Sequence, residues 1–267
     1  MRKTTRVAII LFILLVTIPV LAQGPIPDRT RRLFRLRQLV DLPTAGMLEP
    51  GSYAVGLRMY AGGGVLGEIS VGLMKSFMFG VSYGGENMLG EGDMDWNPDP
   101  GVFVRLRLFT ENIRLQPAIV VGFDSQGFGR YKPDFKRYEY KSRGLYVVTS
   151  KYYGFTRRPT ANSLTLGLHL GLNWSPEGGS KDDESNLFLG ADLILNTEFR
   201  VAAEYDFAVN DNENEDYFGS GNGFLNMSLQ WMFAHTLVME FSVKNILKNG
   251  ATPLTREIKV GYYESIR

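Results

Sequence analysis

Cysteine is absent from the 267 residues, so the chain has neither a disulfide scaffold nor a thiolate metal centre. Histidine is nearly absent: His169 and His235 are the only two, too few for a histidine-rich metal site. An excess of one charge is missing as well. The 29 Lys and Arg are matched by 28 Asp and Glu, so the basic footprint of a nucleic-acid binder is not there. No nucleic-acid partner, cofactor or metal is expected on these grounds. Beyond residue 22 no apolar run reaches about 18 residues, which excludes a transmembrane helix from the exported chain. Glycine, by contrast, is plentiful. Its 30 residues are about 11% of the chain against a usual share of about 7%, which suits a fold of many strands and tight turns.

The first segment sets the compartment. Arg2, Lys3 and Arg6 form a positive leader, residues 7–16 are apolar, and Val20 and Ala22 are small residues before a cleavage point at Gln23. Residues 1–22 are therefore expected to be a secretory signal peptide. Its removal takes away three basic residues and leaves 26 against 28 acidic ones.

The remainder reads in period two. Leu164, Leu166, Leu168, Leu170, Leu172 and Trp174 share one face, while Thr165, Gly167, His169, Gly171 and Asn173 share the other; a helix would mix the two sets. Twelve segments of this kind are expected as strands: 52–60, 65–74, 77–84, 102–109, 113–123, 144–153, 164–174, 187–195, 199–209, 224–233, 236–244 and 256–263. Their connections are unequal. Residues 85–100, 124–142, 175–185 and 210–223 are long and polar, whereas 75–76, 110–112, 196–198 and 234–235 are short. This layout predicts a closed antiparallel transmembrane β-barrel of about 12 strands in the outer membrane, with short periplasmic turns and long extracellular loops. A soluble β-sandwich would alternate too, but would not place its long loops on one side. Residues 61–64 are short for an outer loop and 154–162 long for an inner turn, so the strand count is open by a pair.

The polar face carries the candidate functional residues. Arg58, Arg105, Arg107, Arg114, Asp192, Arg200, Glu204, Asp206, Glu240 and Lys244 all fall at inward positions, which a dry core would not tolerate unpaired. Arg105, Arg107 and Arg114 come from the fourth and fifth segments, Asp192, Glu204 and Asp206 from the eighth and ninth, giving a basic and an acidic wall. Such walls orient polar solutes in a pore; alternatively they pair into a salt-bridge network that fills a narrow barrel. Trp174, Tyr205, Phe207, Trp231, Tyr262 and Tyr83 lie near segment ends, as aromatic girdles do at membrane interfaces.

Enzymatic and metal motifs fail on inspection. Gly80-Val81-Ser82-Tyr83-Gly84 has the G-x-S-x-G spacing of a nucleophile elbow, but no helix follows it. Outer-membrane phospholipases resemble the chain in strand number, yet they need a serine close to their histidine, and Leu170 and Gly171 follow His169. Asp93-Met94-Asp95-Trp96-Asn97 starts like a calcium loop, but Pro98 occupies the glycine position and Val104 the glutamate position. The acidic runs 181–184 and 210–216 read as solvated loops.

Residues 23–50 form a basic periplasmic N-terminal arm, in which Arg29, Arg31, Arg32, Arg35 and Arg37 interleave with Leu33, Phe34, Leu36, Leu39 and Val40. Four fates are open to it: docking on inner-face phosphates, entering the barrel as a plug, contacting a periplasmic partner, or serving as a flexible leader.

Pro117-Ala118-Ile119-Val120-Val121-Gly122-Phe123-Asp124, residues 146–151 and Gly167-Leu168-His169-Leu170-Gly171 resemble the strand pattern of YjbH-type outer-membrane proteins, over about a quarter of the chain. That resemblance implies an exopolysaccharide-related role, although those proteins are much longer. Pro43-Thr44-Ala45-Gly46 with residues 82–87 is also similar to compact uncharacterised Gram-negative barrels. The alternation Ile258, Val260, Tyr262 suits recognition by barrel-assembly machinery, but the chain ends on Arg267 rather than an aromatic residue. The expectation is a non-enzymatic outer-membrane barrel contacting lipid and lipopolysaccharide, acting as a passive pore or envelope transport component for a polar solute or polysaccharide. The alternative is a non-conducting barrel whose loops bind lipopolysaccharide, matrix or host ligands.

Overall fold

The computed structural model describes residues 37–265 apart from 113–114, 156–163, 178–183, 213–217, 234–235 and 251–252. Residues 1–22, expected to be a signal peptide, and Arg29 to Arg35 of the arm lie outside the described residues, as do Arg114 and His235. The strands are β1 (Ser52–Tyr60), β2 (Gly64–Met74), β3 (Phe77–Glu86), β4 (Asp95–Trp96), β5 (Gly101–Phe109), β6 (Ala118–Asp124), β7 (Phe128–Lys132), β8 (Arg137–Tyr140), β9 (Gly144–Gly154), β10 (Thr165–Trp174), β11 (Asn186–Ile194), β12 (Phe199–Asp206), β13 (Phe224–Phe233), β14 (Leu237–Lys244) and β15 (Thr255–Ser265). β4 is a two-residue addition to β3, and β7 and β8 form a separate hairpin. The other strands pair antiparallel in the order β2-β1-β15-β14-β13-β12-β11-β10-β9-β6-β5-β3, and β3 returns to β2, so the 12-stranded sheet is closed. Closure pairs the backbone of every strand with two neighbours and leaves no open edge.

Each expected segment is a strand; most ends agree to within two residues, and two ends differ by more. The segment expected from residue 113 starts at Ala118, because Pro117 has no N–H to give the ladder and Asn112 and Gln116 close a turn through their backbone groups. The segment expected to reach 209 stops at Asp206, whose carboxylate accepts from the Ala208 N–H while Ala208 adopts a positive φ of 48°. Residues 75–76, 110–117, 155–164, 195–198 and 234–236 connect strands at one end; the loops 87–100, 125–143, 175–185, 207–223 and 245–254 lie at the other, with the short turn 61–63.

The barrel is inside out relative to a soluble protein. Val55, Ile69, Val81, Val104, Leu172, Leu229 and Phe241 are exposed on the outer face, while Arg58, Arg105, Asp192, Arg200, Glu204 and Lys244 are buried within. Aromatic side chains gather at both ends of the outer face. Tyr83 stacks on Trp96 at 5.5 Å at the long-loop end, and Phe199 stacks on Trp231 at 6.3 Å at the short-turn end.

Besides the small contact of Ile194 with Met232, two apolar clusters interrupt the polar interior. In one, Leu42, Ala45, Met47 and Leu48 pack against Met78, Phe103, Val120, Tyr146, Val148 and Phe188 of the wall. In the other, Phe128 and Tyr140 of the β7–β8 hairpin meet Leu66, Ala208 and Phe224, so the hairpin folds over the long-loop end of the lumen. The described part of the N-terminal arm therefore does not hang below the rim. Of the four fates open to it, residues 37–48 take the plug. They enter the barrel and turn back through a Gln38–Pro43 bridge and a hydrogen bond from the Leu39 N–H to the Leu42 carbonyl.

The β2–β3 seam supplies a test of the close packing. A Cβ at Gly84 would lie 2.0 Å from the Val65 carbonyl oxygen, whereas one at Gly56 meets nothing nearer than the Glu68 Cβ at 3.7 Å. Gly84→Ala should lower stability by about 1–3 kcal/mol. Gly56→Ala should leave it unchanged or raise it by up to about 1 kcal/mol. The urea midpoint of the folded, heat-modifiable gel band measures both; equal midpoints for the two variants would contradict the register.

Candidate functional site

The plug is short of partners of its own, since a single tight turn leaves most of its N–H and C=O groups free, and buried backbone groups must be paired. The barrel wall pairs them. The Val40, Asp41 and Leu42 N–H groups all donate to the Glu204 carboxylate of β12, at 2.8, 2.9 and 2.9 Å. Three successive amides converging on one anion form a nest, which suits a carboxylate. Asn226 of β13 donates to the same carboxylate at 2.8 Å and fixes it. On the opposite side, Arg105 donates to the Arg37 carbonyl at 2.7 Å, Arg107 to the Ala45 carbonyl at 3.3 Å, and Lys259 to the Val40 carbonyl. Gly190 of β11 makes room for the turn: a Cβ there would lie 2.2 Å from Leu39 Cδ1.

The two charged walls are thus present, but they do not face each other across open lumen. Residues 37–48 lie between them, with carbonyls toward the arginines and amides toward Glu204. Asp192 and Asp206, the other members of the acidic wall, serve different partners. Asp206 pairs with Arg143 and accepts from Asn186 at 2.6 Å near the long-loop end. Asp192 receives Arg200 at 2.8 Å and the His169 Nε2 at 2.7 Å.

From Asp192 a line of hydrogen bonds leads back to the plug. His169 Nδ1 lies 2.8 Å from Ser150 Oγ, and Ser150 Oγ accepts from the Ala45 N–H at 2.8 Å. Ser150, His169 and Asp192 are the residue types of a hydrolytic triad, but all three are buried and the Ala45 backbone covers the serine. Their geometry holds a peptide. Ser82 of the G-x-S-x-G sequence is likewise a buried inward residue on β3, 3.1 Å from Gln126 Oε1.

At the deepest point Asp41 meets two cations. Its Oδ1 is 2.6 Å from Arg58 Nη2 and its Oδ2 is 2.7 Å from Lys244 Nζ. Glu257 bridges the same pair at 2.5 and 3.1 Å. Beside them Lys259 pairs with Glu240 at 3.0 Å, and Gln230 donates to Glu240 at 2.6 Å. Burial by itself would raise the Asp41 carboxyl, but Arg58 and Lys244, with Lys259 behind them, hold it well below its ordinary value of 3.8. Sequence reasoning placed Arg58, Arg105, Arg107, Arg200, Glu204, Glu240 and Lys244 on the inner face, where they are found, but it did not supply their partner Asp41. The available signal was a lone carboxylate between Val40 and Leu42 in an otherwise basic and apolar stretch.

The plug does not fill the barrel. A cavity of about 400 Å³ runs beside it, from Thr236 and Ser265 at the short-turn rim to Leu66 and Phe128 beneath the hairpin. Arg37, Arg58, Arg200 and Lys259 line this passage with positive charge and Glu49, Glu68, Glu240 and Glu264 with negative.

No protein-family model and no curated protein matches the chain. Among solved structures, the KdgM porin is similar at 12% identity and a TM-score of 0.44, covering 81% of this chain and 99% of that one. The outer-membrane protein Omp33 of Acinetobacter baumannii matches at 10% identity and a TM-score of 0.45, covering 82% and 99%. The NanC porin matches at 10% identity and a TM-score of 0.41, covering 80% and 98%.

Glu204→Ala should free the plug, because each amide left without an acceptor costs about 1–3 kcal/mol. Hydrogen exchange of residues 38–45 should then accelerate by about tenfold or more; unchanged protection would mean that Glu204 does not hold the turn. The Asp41 pairing should resist acid. For a depressed carboxyl the stabilisation is complete above 3.8 and fades only as pH falls through the lower folded value. The Asp41 carboxyl should therefore still be ionised at about pH 4, as its infrared carboxylate band would show, and a protonated carboxyl there would contradict the assignment.

Proposed function

We propose that the protein is an outer-membrane barrel whose polar lumen is a conduit for a polar solute, held shut by residues 37–48. The observation that carries this reading is the nature of the closure. The segment in the lumen is not a strand of the sheet but a peptide bound by side chains, through Glu204, Ser150, Arg105 and Lys259. A covalently continuous wall and a separately held stopper are the parts a gated pore needs. The apolar outer face supports the membrane: Leu172, Leu229 and Phe241 and their neighbours would form a large exposed patch in water. The stacked aromatic pairs near both ends fit interfacial girdles. Lipid and lipopolysaccharide are then its surroundings, and barrel-assembly machinery its partner during insertion. An exopolysaccharide-related solute stays one form of this proposal, on the resemblance to YjbH-type strand patterns.

Planar-bilayer recording tests the reading. The wild-type protein should be closed or open only briefly, and Glu204→Ala should raise the open fraction. Silence from both, with heat-modifiable mobility retained, would favour instead a structural barrel acting through its loops. The membrane face has its own check. Leu229→Arg should cost about 2–4 kcal/mol in refolding into lipid vesicles if that position faces the mid-bilayer. A variant as stable as wild type would argue against lipid contact.

A further inference from the structure

Asp41 occupies the deepest point of the plug in the manner of a bound ligand. Its carboxylate rests between the Arg58 guanidinium at 2.6 Å and the Lys244 ammonium at 2.7 Å, from strands on either side of β15. Both cations carry aromatic faces from the hairpin at the long-loop end. Arg58 Cζ is 3.8 Å from the Phe128 ring centroid, and Lys244 Nζ is 4.0 Å from that of Tyr140. The cluster is balanced while the plug is in place, with Arg58 and Lys244 against Asp41 and Glu257. Withdrawing the plug removes one carboxylate and leaves Arg58 and Lys244 with Glu257 as their one shared anion, an excess of positive charge that favours any anion able to enter. The plug therefore leaves more readily when another anion takes the vacated position.

We propose that Asp41 is a tethered stand-in for a carboxylate-bearing solute, and that Arg58 and Lys244, roofed by Phe128 and Tyr140, bind that solute when the plug withdraws. The proposal deepens the gated-conduit reading by naming the chemistry that opens it. Solute and plug compete for the same two cations, so the solute drives its own gate. The planar guanidinium of Arg58 recognises a carboxylate in the way it now holds Asp41, and the rings provide flat faces for the rest of the molecule. Glu257 stays in place between the two cations, which limits the site to a single negative charge.

The chain has no cysteine, so Ala45→Cys places a single thiol in the buried part of the plug. Its labelling by a charged methanethiosulfonate reports withdrawal. Acetate is the probe, with chloride at equal ionic strength as control. Acetate at ten times its dissociation constant should speed labelling about tenfold, and chloride should not. In the same background, Arg58→Met should abolish the acetate response, while Asp41→Asn should raise labelling without acetate. Retained heat-modifiable mobility shows that each variant is folded. An acetate effect matched by chloride, or no acetate effect in a protein that Asp41→Asn does unplug, would overturn the proposal. Conductance separates this from the broader reading. A Glu204→Ala protein that conducts but ignores acetate defeats only the carboxylate site. A silent protein whose labelling responds to acetate defeats the conduit and retains the site.

Discussion

A charge inside a closed sheet must find its opposite inside as well, since neither bulk water nor a flexible surface is at hand to neutralise it. Most of the interior follows from this requirement. Arg58 and Lys244 need more than Glu257 provides, and the plug brings Asp41 to them. Glu204 needs donors, and the turn supplies three backbone amides. Wall and plug are each electrostatically incomplete without the other, and together they are close to saturated. The apolar contacts of Leu42, Met47 and Leu48 add burial, but the ionic pairing fixes the depth to which the segment inserts.

The same requirement explains why the wall was readable from the sequence and the plug was not. Alternation is imposed on every strand by two unlike environments, so Leu166 to Leu172 on β10 declare their face locally, with His169 and Asn173 opposite. Pro117 and Ala208 moved strand ends through local chemistry that a two-residue period does not register. The destination of the arm was different. Val40 and Glu204 are 164 residues apart, and nothing in either neighbourhood names the other. Inward charges could be placed on a face but not assigned to partners. Two opposed walls therefore left open both a water-filled pore and a salt-bridge network between them, whereas a peptide backbone lies there.

Closure is applied at both ends by different means. The plug approaches from the short-turn side and is held by hydrogen bonds and ion pairs. The β7–β8 hairpin covers the long-loop side and is held by Arg137, whose guanidinium binds Asp211 at 2.7 Å and stacks 3.7 Å over Phe218. The two meet at Arg58 and Lys244, each of which touches an acidic group of the plug and an aromatic ring of the hairpin. A movement of either cation is felt on both sides of the lumen.

Beside Arg58 of β1, Arg105 of β5 and Ser150 of β9, several residues that grip the plug come from late strands: Glu204 from β12, Lys244 from β14 and Lys259 from β15. The segment they grip precedes β1. The segment ahead of the first strand thus has no complete seat until the last strand has joined the first, and contacts so distant in sequence are slow to form. Docking of the N-terminal turn is in this sense a seal set on a finished cylinder, and a barrel halted before its final seam would carry that turn loose.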